Sequence, residues 1–84
     1  MKVWITRYAL SRGILAADDG IVSAKSPGMC SVPSLGVFAE FHGEGKDWHR
    51  SYSSAVERAE RMRVDKINSC QKQIERLGRM EFTP

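Results

Sequence analysis

The sequence predicts an α+β fold: a small antiparallel sheet of four or five short strands, followed by one long C-terminal α-helix. Three observations predict it. Every glycine but Gly78, and two of the three prolines, fall in the first 50 residues. The same stretch holds most of the β-branched and aromatic residues, cut into short runs by turn formers, as strands joined by tight connections read. From Ser54 to Met80 there is no proline, and the apolar period changes to that of a helix. The chain is therefore read as one domain, 1–84, with a strand-rich part, 1–50, and a helix with its tail, 51–84.

The elements follow in order. Lys2 to Ala9, rich in Val, Trp, Ile, Thr and Tyr, suits a pleated surface and is broken at Gly13. Ile14–Ala17 and Ile21–Ala24 flank Asp18-Asp19-Gly20, which predicts a hairpin with a type I′ turn. Ser26-Pro27-Gly28 is a further turn, and Met29–Val32 a brief strand. Pro33-Ser34 breaks the pattern, because proline cannot donate to a ladder. Gly36–His42 sets Val37, Ala39 and Phe41 against Phe38, Glu40 and His42, one buried face and one exposed. Gly43–Asp47 makes a glycine-rich loop, and Trp48-His49-Arg50 a return strand. A partial barrel is the more curled form of such a sheet.

The helix has a capping-box start at Ser54-Ala55-Val56-Glu57, with Ser51 as a second cap one turn earlier. Gly78 suits a left-handed C-terminal position. At about 100° per residue, Ala55, Val56, Ala59, Met62, Ile67, Cys70, Ile74, Leu77 and Met80 share a face, interrupted by Arg63 and Lys66. Small Ala55 and Ala59 fit close approach to a sheet. Ile67, Cys70, Ile74 and Leu77 form a 3-4-3 seam. A helix of roughly 25 residues spans roughly 37 Å, more than the ~30 Å width of a small domain. Its far end is expected to overhang, and a homodimer through the seam is the simplest cover.

Composition excludes several classes. The 84 residues carry 13 Lys and Arg against 10 Asp and Glu, a net charge of +3. That length leaves no room for separate cofactor and substrate domains. Two cysteines, Cys30 and Cys70, are too few for a disulfide scaffold and read as reduced thiols in the cytoplasm. Neither a signal peptide nor a membrane span is visible. Gly43-Glu44-Gly45-Lys46 fails the Walker A spacing and is followed by Asp47. His42 and His49 flank that loop but lack the convergent ligands zinc needs, so no metal and no cofactor is expected. A Cys–His nucleophile would have to use Cys30 and His49, and ranks last.

Binding is better supported. Basic and aromatic residues interleave at Arg7, Tyr8 and Arg12, and again at Lys46, Trp48, His49 and Arg50. Arg58, Arg61, Lys72, Arg76 and Arg79 form a basic stripe within about 60° of the helix surface. Met1-Lys2-Val3-Trp4-Ile5-Thr6-Arg7-Tyr8-Ala9-Leu10-Ser11-Arg12-Gly13-Ile14 resembles the opening of a group of small uncharacterised phage and prophage proteins. Gly45-Lys46-Asp47-Trp48-His49-Arg50-Ser51, with the charged helix ending Lys72-Gln73-Ile74-Glu75-Arg76-Leu77, resembles them too. In that group an acidic residue follows the helix cap, where this chain has Ser53 and Ser54. The resemblance brings no activity; it implies a bacterial cytoplasmic setting and action by binding rather than turnover. The expected function is a non-catalytic accessory protein that binds a host or phage protein, as inhibitor or adaptor of a defence or gene-expression complex. Arg7, Tyr8, Arg12, Lys46, Trp48, His49 and Arg50 are its expected contacts. The alternative is a small DNA- or RNA-binding protein that uses the same residues and the basic stripe.

Overall fold

The computed structural model describes Met1–Thr83 and is α+β. Six short strands, β1 (Val3–Ile5), β2 (Leu15–Ala17), β3 (Ile21–Val22), β4 (Met29–Ser31), β5 (Glu40–His42) and β6 (Trp48–His49), precede the long helix α2 (Tyr52–Gly78). A single helical turn, α1 (Ala9–Arg12), lies between β1 and β2.

The strands form two three-stranded antiparallel sheets, ordered β2-β1-β6 and β3-β4-β5, rather than one sheet or a closed barrel. Alternation explains how they share one core. Val3 and Ile5 of β1 are buried with Trp4 facing the other way, Cys30 is the buried residue of β4, and Phe41 that of β5. With Ala17, Val32 and Trp48 these side chains make one cluster, with Leu15, Val22 and Ala39 packed against it. The Trp48 indole N–H donates to the Gly28 carbonyl at 2.7 Å, tying β6 to the turn that leads into β4.

The Asp18-Asp19-Gly20 hairpin does not form, because β2 pairs with β1 and β3 with β4. Gly20 serves close approach instead: a Cβ there would stand 2.8 Å from both methyls of Val3. Gly20 also exchanges two hydrogen bonds with Met1, at 2.8 and 2.9 Å. Asp19 accepts from the backbone N–H and the hydroxyl of Ser34, both at 2.7 Å, which pins the 3₁₀ turn Pro33–Leu35. These bonds hold its carboxyl below the usual carboxylate range.

Three other expectations are corrected. The first strand ends at Ile5, and the chain turns into α1. The Gly36–His42 pattern yields only Glu40–His42, leaving Val37 and Phe38 each 91% exposed. The loop 43–47 connects the two sheets, so His42 and His49 lie on strands of different sheets.

α2 crosses the outer face of the first sheet with its initial turns, packing on β6, β1 and α1. Ser51 is the cap, accepting from the Ser54 N–H, so the later capping box is not used. Ala55 is the helix's one buried residue, and Val56, Ala59 and Met62 are half-buried. From Arg63 to Gly78 every residue but Cys70 is exposed. That stretch extends roughly 24 Å at 1.5 Å per residue, and it draws the molecule out to 59 × 27 × 21 Å. Gly78 is the last helical residue and Arg79 closes the helix in right-handed conformation, so the left-handed glycine end is absent.

Candidate binding surfaces

The expected contact residues divide into groups that do not meet. Trp48 and His49 are 0% and 1% exposed, so neither is a contact residue. Trp48 fills the core between the sheets. His49, on the opposite face of β6, fills the space beneath α2, and its bonds form a chain. Thr6 Oγ1 donates to the Lys46 carbonyl, which leaves Thr6 to accept from His49 Nε2 at 2.9 Å. His49 Nδ1 then accepts from the Ser54 hydroxyl at 2.8 Å. This assignment requires a neutral imidazole. Burial pushes the His49 pKa below its ordinary 6.5, and the charge of Arg58 pushes the same way. The chain fastens β1, β6 and the first turn of α2 together.

Arg50 lies at the surface but is paired with Glu44, its guanidinium also facing the Trp48 ring at 5.4 Å. Lys46 stands in the loop beside α2 and lines a cavity with Arg58 and Arg61. Cys30 is buried, and burial pushes its thiol pKa up, away from the thiolate a nucleophile needs.

Arg7, Tyr8 and Arg12 do come together. Both guanidinium groups face the Tyr8 ring, at 5.8 and 5.5 Å, and Tyr8 meets Phe41 edge-on at 6.3 Å. With Leu35, Phe38 and Glu40 they line a groove of about 230 Å³. Sequence reasoning missed its far wall. Phe38 lines it, and the alternation of Gly36–His42 reads Val37 and Phe38 as strand residues, whereas β5 begins at Glu40 and both stand on the turn before it as an exposed apolar knob.

The helix carries the other two groups. Arg58, Arg61, Lys72, Arg76 and Arg79 fall on one face, and none of them has an ion pair among the described residues. Glu57 and Arg61, and Glu75 and Arg79, stand four residues apart on α2 but make no ion pair among the described residues. The opposite face presents Ile67, Ile74 and Leu77, with Ile74 68% exposed. Cys70 lies between them, half-buried. No helix among the described residues is long and apolar enough to cross a membrane.

In comparisons with known proteins, no family model matches the chain, nor does any curated protein or solved structure.

Proposed function

We propose that this chain is a non-catalytic accessory protein of phage or prophage origin that works in the bacterial cytoplasm by occupying a surface of a partner protein. One observation carries the reading. The strand-rich end joins an exposed apolar knob, Val37-Phe38, to a groove holding two arginines without ion pairs among the described residues. Large apolar side chains left in water beside free guanidinium groups suit a partner that offers an apolar anchor flanked by carboxylates. The resemblance of the chain's two ends to small phage proteins supports the setting. The seam of Ile67, Cys70, Ile74 and Leu77 supports a homodimer.

A second reading, nucleic-acid binding, is favoured by the unpaired basic stripe on α2. One experiment separates the two. The tagged protein is drawn from a bacterial lysate with and without nuclease, alongside variants Phe38→Asp and Arg7→Glu/Arg12→Glu. A stoichiometric protein that survives nuclease and is lost with both variants supports the first reading. Recovery of nucleic acid alone, released by salt and unaffected by these variants, overturns it.

A further inference from the structure

Between the Gly45–Lys46 loop and the docked turns of α2 lies a cavity of about 360 Å³, lined by Gly45, Lys46, Ser54, Glu57, Arg58 and Arg61. That volume falls within the ~300–1,000 Å³ range of small-molecule sites. Its electrostatics are lopsided: three cations face one carboxylate, and none of the four is ion-paired among the described residues. Its hydrogen bonding is incomplete as well. Arg58 Nε is buried without a partner, the single such side-chain atom among the described residues. A buried charged donor left unmatched is costly, and native folds rarely keep one that nothing ever satisfies.

The remaining groups narrow the ligand. The Ser54 hydroxyl proton is committed to His49 Nδ1, and the Gly45 N–H to the Trp48 carbonyl at 2.8 Å. Recognition therefore falls to Lys46, Arg58 and Arg61, which are donors only. Donors of that kind around a small cavity select an oxyanion with several acceptor oxygens. The shape of the helix adds a direction: Lys72, Arg76 and Arg79 continue the face that bears Arg58 and Arg61, away from the cavity.

From this geometry we infer that the cavity holds a phosphate group, with Lys46, Arg58 and Arg61 as its ligands, the Arg58 side chain turning from the position where its Nε is covered and unmatched to meet a phosphate oxygen. This site is separate from the Arg7–Tyr8–Arg12 groove. The phosphate comes either from a nucleic-acid backbone that runs on along the helix stripe or from a small phosphorylated molecule.

The test uses the full chain, ¹⁵N-labelled and titrated with inorganic phosphate, with sodium chloride at matched ionic strength as control. Phosphate is expected to shift the amides of Gly45, Lys46 and Ser54 to saturation, and chloride is not. Lys46→Ala and Arg61→Ala change exposed side chains, and each is expected to weaken phosphate roughly tenfold, the size of one lost charge-assisted bond. Lys72→Ala/Arg76→Ala and the groove variant Arg7→Glu/Arg12→Glu should leave it unchanged. Shifts that never saturate, that chloride reproduces, or that survive both cavity variants overturn the site. A short single-stranded oligonucleotide and a mononucleotide then identify the source. Binding of the oligonucleotide weakened by both the cavity and the stripe variants assigns the backbone. Equal competition by the mononucleotide, indifferent to the stripe, assigns a small ligand. Failure of the groove to capture a protein has no effect on these shifts, so the two proposals fail separately.

Discussion

The part of α2 that lies on the sheet, up to Met62, and the part beyond it, Arg63–Gly78, are one continuous helix with opposite surroundings. The docked part meets the sheet with small residues. Ala55 is fully buried, and beside it a histidine, a threonine and a serine exchange hydrogen bonds. The overhanging part carries large aliphatics with nothing beneath them. Side-chain size is thus distributed against what a lone domain needs. Residues that bury the most area sit where the chain itself offers no cover, and methyl groups sit where backbones come close. The docked part is held by shape and polar satisfaction, whereas the overhang leaves its apolar area uncovered by the chain's own residues.

Substitutions on the docked side have the largest expected effects. Trp48→Ala removes the largest fully buried side chain and the indole bond to Gly28. It is expected to cost about 3–5 kcal/mol, read as a fall in denaturant midpoint. Ala55→Leu forces three extra heavy atoms into a closed gap and lifts the helix from β6. A loss of about 1–3 kcal/mol is expected, together with weakened hydrogen-exchange protection at β6.

The pH dependence is gentler. His49 titrates below 6.5 when folded. As pH falls through 6.5 the unfolded chain takes up a proton that the folded chain refuses. Stability is therefore full above that value and declines below it. Thermal melts on both sides should show the decline, and His49→Gln should remove it. On the overhang, Ile74→Glu should change monomer stability by no more than about 0.5 kcal/mol. Sedimentation equilibrium should show that the same variant abolishes self-association. An unchanged mass for both proteins would sink the seam as a dimer contact.

The long helix was legible because a 3.6-residue period repeats over many turns, and the α+β class was legible from the segregation of glycine and proline. The division into two sheets was not. Strands of two or three residues carry no readable period, and pairing was decided by distant contacts such as Gly20 against Met1 and Val3. Asp19 of the Asp-Gly signal instead accepts from Ser34, fifteen residues on. At the candidate sites, Arg7, Tyr8 and Arg12 were legible as a group because they are near in sequence. Trp48 and His49 were misread for the opposite reason. Lys46 and Arg50 made their stretch look exposed, while Thr6, which satisfies the imidazole, lies 43 residues away.

The two tryptophans give the molecule a built-in bias as an optical probe. Trp4 and Trp48 both belong to the first sheet, and none stands on the overhang. Intrinsic fluorescence therefore watches the head alone, while far-ultraviolet circular dichroism is dominated by the long helix. If the tip frays before the head melts, the two signals will not coincide, and a single midpoint will misdescribe the chain. Pairing two tips should bring the curves together, so the gap between them, followed against protein concentration, becomes a gauge of assembly that needs no label.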